Sequence, residues 1–451
     1  MTVDTEKLSI VHIGAGSLGL GYVVPSIHSE VYSTVANRQS PGAHHSVLLR
    51  VRKYELRAPG GSTSCRFDEY MQTATDNGST REFIDAVARA NVVSTSIGGS
   101  NYPATAARLA DAIASKPAVK EPLYIMCFEN KLESSRSMVD LIQQVRPSIA
   151  RPLIPCDVIV DRICRRPEVE RGKVVLATGD EKSCYVLVPD DAAVQVIERV
   201  FDTWAANMTL TRDDVLLKLH ARRKFWCINA VDYAAATFAH AHEFSYIGQA
   251  LCDKDDTVRR LVWGVAVECA AALTLSVGDD ASRYPEFSWA ENYASAKAMI
   301  ERLSIPESTR DCYTVFKDLF GYSAAYNQYH QFTSKLSDAH KATCPQRGKD
   351  FSETVNGDAF RQAVEREAQT LFEKLSLYDY FDKVHARLAE PVLHLQAASK
   401  PQLAAIPSKW RSELTSGFGF PRYLPQLLAE HVKIIRDELT AAGTELAGVY
   451  C

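Results

Sequence analysis

The sequence predicts an α/β protein: a Rossmann-type, doubly wound N-terminal domain followed by an all-α C-terminal domain. Three observations lead to this prediction. Short apolar strands alternate with amphipathic helical stretches in the first part of the chain, which is typical of a mostly parallel sheet. A glycine-rich turn, GAGSLGLG, directly follows the first strand and opens a helix. Beyond it, helical periodicity dominates from about residue 204. We therefore place the domains at residues 1–203 and 204–451.

The strands and helices of the first domain follow one another in the order that a doubly wound sheet requires. Strands are predicted for LSIVHIG, EVYSTVANR, NVVSTSIGG and PLYIMCFEN, and helices for EFIDAVARA and NYPATAARLADAIAS. HSVLLRVRKYELRAPGG is predicted to be an extended arm or hairpin. RPLIPCDVIVDRI and GKVVLATG…SCYVLVP are expected to complete the sheet. Helices of the second domain are predicted over 214–240, 256–276 and 362–389.

Composition describes an ordinary globular chain of 451 residues, with 46% apolar residues, 24% charged residues and a net charge of −4. This charge gives no electrostatic basis for nucleic-acid binding. MTVDTEKLSI lacks the pattern of a signal peptide, and LVWGVAVECAAALTLSV is expected to be a buried core helix rather than a membrane span. We expect a soluble, cytoplasmic protein with a small-molecule partner and with no nucleic-acid or membrane partner. The oligomeric state is left open.

Neither the cysteines nor the histidines predict a metal site. The eleven cysteines include no CxxC pair and lie mostly in apolar contexts, as expected for reduced core thiols. Cys227, in KFWCIN, is close to the candidate catalytic residues, but a structural thiol is the better interpretation. The pairs His44-His45 and His240-x-His242 lack the further ligands that a zinc site needs.

The glycine-rich turn carries the most specific signal in the chain. In a dinucleotide-binding turn, the first glycine makes the tight turn, the second lets the backbone approach a pyrophosphate, and the third lets helix and strand pack closely. Here these are Gly14, Gly16 and Gly19, and Ser17 and Leu18 begin the helix whose N–H groups would face the anion. The alternative is a glycine-rich turn without a ligand.

The end of the second predicted strand bears on the choice of cofactor. A carboxylate usually follows this strand and binds the ribose hydroxyls of NAD, but here the residues are Asn37 and Arg38. Asn and Arg can donate hydrogen bonds to a 2′-phosphate, whereas a carboxylate would repel it. The sequence therefore favours NADP over NAD. The alternative is that Arg38 is a solvated loop residue and the site takes NAD.

Polar residues at the ends of the later strands are further candidates, because ligands of open α/β sheets lie beyond the carboxyl ends of the strands. Ser96, Gly98 and Glu129 are predicted to contact the cofactor. Further candidates are Asn130 and the pair Asp161-Arg162, for which a structural ion pair is the alternative.

The helical segment HARRKFWCINAVDYAAA supplies the second half of the candidate site. On an α-helix, Lys224, Asn229 and Asp232 fall within an arc of about 140°. His220 lies on the same side as Lys224, and we expect it to be structural. A lysine, an amide and a carboxylate on one face could line a cleft, although ordinary polar-face positions would explain them as well.

These motifs resemble those of the polyol-specific long-chain dehydrogenases, which include mannitol dehydrogenase and mannitol-1-phosphate 5-dehydrogenase. The shared features, in order, are GAGSLGLG, the strand ending in CFENK, VDRI, and KFWCIN with its asparagine five residues after the lysine. Order and spacing match over roughly residues 8–275.

The resemblance implies a role for each matching residue. Lys224 would be the general base that takes the hydroxyl proton as hydride leaves for the nicotinamide. Asn229 and Asn130 would polarise the carbonyl oxygen, and Asp161 would contact the substrate or order the base. Such chemistry needs a base near the carbinol and donors for the oxyanion, and it needs no metal if burial favours the neutral lysine.

Two departures from the family concern the chemistry and the substrate. Asp232 stands where the family has a histidine, eight residues after the lysine, and a nearby carboxylate favours the charged ammonium and makes a poorer base. The C-terminal part also lacks the arginine-rich element expected for a sugar-phosphate enzyme.

The leading hypothesis is an NAD(P)-dependent oxidoreductase that interconverts a secondary alcohol and a ketone on a polyol, sugar or related small molecule. One alternative is an epimerase or eliminating enzyme with tightly bound nicotinamide. The other is a non-catalytic dinucleotide-binding regulator.

Overall fold

A computed structural model describes residues 7–37, 43–75, 78–115, 119–129, 132–305, 312, 380–398, 402–408, 410, 421–427, 429–430 and 433. The chain divides into two compact units, Met1–Ala221 and Arg222–Cys451. The division lies further along the chain than residue 203. One reason is that the strand Met208–Thr211 pairs with a long strand of the first unit and so belongs to it.

Fourteen strands are described, all in the first unit. In chain order they are β1 Ser9–Ile13, β2 Tyr32–Asn37, β3 Lys53–Ala58, β4 Gly61–Arg66, β5 Glu69–Gln72, β6 Ala74–Thr75, β7 Gly78–Ser79, β8 Val92–Thr95, β9 Leu123–Cys127, β10 Leu153–Pro155, β11 Val158–Cys164, β12 Glu168–Glu170, β13 Lys173–Leu187 and β14 Met208–Thr211.

The described α-helices run through both units. They are α1 Ala43–Val51, α2 Arg81–Arg89, α3 Tyr102–Ala114, α4 Ser134–Val145, α5 Asp191–Val200, α6 Asp214–Arg223, α7 Ala230–Ala241, α8 Ile247–Leu251, α9 Thr257–Val277, α10 Trp289–Leu303 and α11 Tyr380–Ala397. Two π-helical turns, Gly19–Val23 and Lys224–Asn229, accompany them.

The main sheet is parallel throughout, in the order β10-β9-β8-β1-β2-β5. Side chains alternate across it, so Ile10 and Val92 join one buried cluster while Val11 and Val93 join the other. Helices α2, α3 and α4 supply residues to the second cluster. The strands read as near-continuous apolar runs because both faces are buried. The predicted doubly wound, Rossmann-type domain is confirmed.

A second sheet, in the order β11-β13-β3-β4, corrects two expectations. VIVDRI and GKVVLATG…SCYVLVP form β11 and β13, which pair antiparallel in this sheet and do not complete the main one. HSVLLRV is helical rather than extended, and only the chain after it forms the hairpin of β3 and β4. The helix buries the consecutive residues Val47 and Leu48, which an alternating strand cannot do on one face.

The described part of the second unit is helical, as predicted. The predicted helices over 214–240 and 256–276 are present, whereas most of the predicted helix over 362–389 lies outside the described residues and α11 begins at Tyr380. Helix α9 is long and apolar enough to cross a membrane, but 67% of its apolar 18-residue stretch is buried inside the protein. Its packing agrees with the predicted core helix.

Candidate functional site

The glycine-rich turn connects β1 to a short helical segment. The Gly14 N–H donates to the carbonyl of Ala36 on β2 at 2.9 Å, and the φ of Gly14 is +123°. L side chains rarely adopt this conformation, and a Cβ here would lie 2.5 Å from the carbonyl oxygen of Ser96. The backbone at Gly14 therefore requires glycine.

The two later glycines of the fingerprint differ in their surroundings. A Cβ on Gly19 would overlap the Gly14 carbonyl and would lie 2.8 Å from Ser96 Oγ. A Cβ on Gly16 would meet nothing within 4 Å. Neighbouring atoms thus occupy the space next to Gly19, whereas the space next to Gly16 is empty. Between them, Ser17 and Leu18 are partly exposed and begin the helical segment.

A buried histidine supports the turn from below. His12 is fully buried, with Nδ1 2.8 Å from Ser94 Oγ and Nε2 3.0 Å from both the Gly14 carbonyl and Ser96 Oγ. Burial lowers the pKa of His12 to about 4, and the hydrogen bond to Gly14 opposes this effect. The imidazole is therefore neutral near pH 7. Sequence analysis missed this residue, although a histidine within the apolar strand IVHIG is a usable signal.

The segment after the turn is held tightly against the second sheet. Gly19–Val23 forms a π-helical turn, a rare element that occurs frequently at functional sites. A Cβ on Gly21 would contact the side chain of Cys164 on β11, and Tyr22 donates from its hydroxyl to the Ala206 carbonyl at 3.0 Å. The predicted helix is present, but it is irregular and its packing is close.

Asn37 occupies the carboxyl end of β2, where the ribose-binding residue of a dinucleotide site is expected. Its Nδ2 is 2.8 Å from His45 Nε2, and His45 Nδ1 forms a short hydrogen bond with the Tyr70 hydroxyl. The Asn37 amide is therefore held by α1. Arg38 lies outside the described residues.

The ends of β8 and β9 are joined through Glu129. Its Oε1 accepts hydrogen bonds from the N–H groups of Ile97 at 2.6 Å and of Gly98 at 3.1 Å. Gly98 has a φ of +76°, and Ser96 donates to the Gly14 carbonyl at 3.2 Å. Ser96 and Glu129 thus brace the backbone around the turn. Asn130, the next residue, lies outside the described residues.

Asp161 is not at a carboxyl end of the main sheet, which corrects its predicted position. It lies within β11, opposite Ser183 of β13, while Ile159 lies opposite Tyr185 on the same face. Tyr185 stacks on His220 of α6, with ring centroids 3.4 Å apart. Asp161 therefore shares a sheet face with the residue that anchors α6. Its neighbour Arg162 has the opposite orientation and donates to Thr178 Oγ1 at 2.8 Å, so the two residues form no ion pair.

The lysine and the amide of the candidate site lie on a π-helical turn rather than on an α-helix. Helix α6, the turn Lys224–Asn229 and α7 follow one another without a break. Within the turn, the Ala230 N–H donates to the Phe225 carbonyl, which is the i→i+5 pattern of a π-helix. Lys224 and Asn229 are likewise five residues apart, so they lie closer to one face than the arc of about 140° that α-helical geometry implies.

The lysine and the carboxylate of the candidate site are both buried. Lys224 is 7% exposed and Asp232 is 2% exposed, whereas Asn229 is partly exposed. Cys227 is fully buried, and burial raises its pKa to about 12, so its thiol is a poor nucleophile. Among the described residues, no group of three His, Cys, Asp or Glu side chains could hold a metal ion.

Comparison with known proteins shows that the first unit is similar to a known family. Residues 8–196 match the family described as the mannitol dehydrogenase Rossmann domain. The matched residues are similar to this domain and make up less than half of the chain. The predicted resemblance to mannitol dehydrogenase and mannitol-1-phosphate 5-dehydrogenase is confirmed at this level.

Mannitol-1-phosphate 5-dehydrogenases are among the similar curated proteins. That of Arthrobacter sp. (strain FB24) is 24% identical over 262 residues, which cover 55% of this chain and 62% of that protein. That of Caldanaerobacter subterraneus subsp. tengcongensis is 23% identical over 287 residues, covering 59% of this chain and 67% of that protein. The match to the Arthrobacter protein thus spans less than two thirds of its length. These relatives agree with the predicted class of enzyme, a dehydrogenase.

Solved structures that match this chain include a ternary structure of D-mandelate dehydrogenase with NADH and anilino(oxo)acetate. It is 12% identical, with a TM-score of 0.45, and the match covers 96% of this chain and 99% of that one. The 2-dehydropantoate 2-reductase of Porphyromonas gingivalis W83 is 13% identical, with a TM-score of 0.37, covering 66% of this chain and 98% of that one.

Proposed function

We propose that this protein is an NAD(P)-dependent dehydrogenase that interconverts a secondary alcohol and a ketone on a polyol, sugar or related hydroxylated small molecule. The observation that carries the proposal is the glycine-rich turn at the carboxyl end of β1 within a mannitol dehydrogenase Rossmann domain. Cytoplasmic location is kept as a prediction.

The space around the three glycines of the turn is compatible with a bound dinucleotide. Side chains at Gly14 and Gly19 would collide with the fold itself, whereas the space beside Gly16 would admit a pyrophosphate close to the backbone. The N–H groups of Ser17 and Leu18, at the start of the helical segment, would then face the anion. Ser96, Gly98 and Glu129 would shape the neighbouring wall, and NADP remains the favoured cofactor on the strength of Asn37 and Arg38.

The catalytic roles assign one chemical task to each residue. Lys224 would accept the hydroxyl proton at Nζ and return it in the reverse reaction. Asn229 and Asn130 would donate amide hydrogen bonds to the oxygen as it gains carbonyl character, and Asp161 would orient the lysine or the substrate. The bound nicotinamide would accept or supply the hydride. Asp232 would bind a substrate hydroxyl or a donor beside it.

The test compares two lysines of one helical segment. Lys224→Ala should abolish turnover, by a factor of about 10² or more, while leaving NADPH and NADH binding intact, because it removes the base and not the cofactor site. Lys218→Ala is the matched control, since Lys218 is about half exposed and pairs with Asp214 at 2.6 Å. It should retain activity. Wild-type turnover in Lys224→Ala would refute the assignment.

The same preparation distinguishes the two alternative functions. Nucleotide that survives purification, with no net change of its redox state during turnover, would indicate the epimerase or eliminating enzyme. Nucleotide binding without turnover on any polyol, ketose or amino sugar would indicate the regulator. Absence of nucleotide binding to nucleotide-free protein would reject all three.

A further inference from the structure

Two adjacent histidines lie at the beginning of α1, beside the glycine-rich turn. The rings of His44 and His45 have centroids 4.0 Å apart. His44 forms a hydrogen bond with the backbone of Ala15 in the turn, and His45 contacts both Asn37 and Tyr70. The pair thus connects the turn after β1 to the ends of β2 and β5. None of the roles proposed above uses it.

Its position coincides with a known feature of dinucleotide sites. The residue at the end of the second strand contacts the adenosine ribose, and it discriminates the 2′-hydroxyl of NAD from the 2′-phosphate of NADP. Here that residue is Asn37, and its amide is bound by His45 at 2.8 Å. The protonation state of His45 therefore determines which atoms of the Asn37 amide remain for a ligand.

Both imidazoles are neutral near pH 7. Burial, and secondarily the proximity of His44, lowers the pKa of His45 to about 4, and burial lowers the pKa of His44 despite its hydrogen bond to Ala15. Tyr70 is neutral too, because burial raises its pKa well above the ordinary tyrosine value.

Two carboxylates on elements packed against α1 are already engaged with other residues. Glu69 on β5 accepts a hydrogen bond from Thr34 Oγ1 at 3.3 Å, and Glu170 on β12 pairs with Arg57 at 3.0 Å. Neither carboxylate contributes to the pKa shift of either histidine. A phosphate bound beside the pair would be a new negative charge, and a nearby negative charge favours the protonated imidazole.

We propose that His44 and His45 form a proton-linked selector between NADP and NAD, which takes up a proton when the 2′-phosphate binds. The proposal rests on the proposed function, because it requires a dinucleotide in the turn. It concerns the selectivity of that site, which would favour NADP more strongly as the pH falls.

The hydrogen bonds at Asn37 supply the mechanism. Asn37 Nδ2 lies 2.8 Å from His45 Nε2 and 3.1 Å from His45 Nδ1, and the Asn37 side chain also hydrogen-bonds with Tyr70. When His45 takes up a proton, both of its ring nitrogens become donors, and neither accepts from the Asn37 NH₂ group any longer. The NH₂ group is then available to donate to a phosphate, and the pair carries a positive charge that attracts it.

The experiment measures dissociation constants for NADPH and for NADH by fluorescence titration of the nucleotide-free protein between pH 6 and pH 8. Uptake of one proton changes affinity by at most tenfold per pH unit. We expect NADPH to bind about tenfold more tightly at pH 6 than at pH 8, and NADH affinity to change less than twofold. The 2′-phosphate itself begins to protonate near pH 6, which sets the lower limit.

Two single variants and one control complete the test. His44→Gln and His45→Gln should each reduce the pH dependence of NADPH binding to less than threefold, and retained NADH binding verifies that each variant is folded. His242→Gln, a variant of an exposed histidine in the second unit, should behave as wild type. Equal pH dependence for NADPH and NADH, or unchanged pH dependence in both variants, would overturn the selector while leaving the dehydrogenase proposal intact. Binding of neither nucleotide at any pH would instead reject the proposed function.

Discussion

Substitutions at Gly16 and Gly19 separate the role of the turn in cofactor binding from its role in the fold. A Cβ at Gly16 would meet nothing within 4 Å, and the φ of Gly16 is not positive. Gly16→Ala should therefore change the free energy of unfolding by less than about 0.5 kcal/mol. The same methyl group would occupy the space in which a pyrophosphate approaches the backbone. Loss of one charge-assisted hydrogen bond costs about 1.5–3 kcal/mol, which corresponds to roughly 10- to 150-fold weaker binding of NADPH.

Gly19→Ala should have the opposite profile. Its Cβ would overlap the Gly14 carbonyl, and Ser96 Oγ would lie only 2.8 Å away, so the turn or its neighbours must shift. Overpacking of this kind costs about 1–3 kcal/mol. Thermal unfolding of both variants, with NADPH titrations on the folded proteins, provides the comparison. Wild-type NADPH affinity in Gly16→Ala would refute the phosphate-binding role, and wild-type stability in Gly19→Ala would refute the close packing.

Three further predictions concern residues that the fold buries. Because the folded-state pKa of His12 (about 4) is below the unfolded value of 6.5, the unfolded state binds the proton first. Stability should therefore fall by roughly 3 kcal/mol as the pH drops from 6.5 to 4, and His12→Gln should flatten that decline in denaturant titrations. His220→Ala removes the stack on Tyr185 and should destabilise the protein by about 1 kcal/mol, with no loss of NADPH affinity in the fluorescence titration. The Glu268 carboxylate accepts hydrogen bonds from three backbone N–H groups at 2.6–2.9 Å, and Glu268→Ala leaves them without this acceptor. The substitution should lower the free energy of unfolding by about 2–4 kcal/mol, measured by thermal unfolding. Glu291→Ala, at an exposed position, should change it very little.

The glycine-rich turn was predictable because its roles are local. A strand, a turn and a helix in immediate succession determine where the backbone must bend and where it must approach its neighbours, and these depend on a few consecutive residues. The role of His12 could not be predicted in this way. Its partners Ser94 and Ser96 are more than 80 residues away along the chain, so its support of the turn becomes visible only when β1 and β8 are paired.

The position of Asp161 could not be predicted from sequence patterns, for a different reason. Periodicity predicts that VIVDRI is a strand, and β11 is one. The sheet that a strand joins depends instead on its pairing partner, which for β11 is the long strand β13. Because the two strands pair antiparallel in the second sheet, Asp161 does not lie at the carboxyl edge of the parallel sheet. The strand was therefore predicted correctly, whereas the placement of Asp161 at the carboxyl edge of the main sheet was wrong.

The π-helical turn at Lys224–Asn229 has the largest consequence for the chemistry. Spacing alone cannot reveal it, because α-helical and π-helical turns contain the same kinds of residues and differ only in which carbonyl each N–H selects. The five-residue separation between lysine and asparagine is awkward on an α-helix, where it spans about 140°, but it corresponds to one hydrogen-bonded turn of a π-helix. The same spacing in KFWCIN carries the family resemblance. Under the proposed function, the π-helical turn would let Lys224, the proposed base, and Asn229, the proposed oxyanion donor, serve the same reacting oxygen.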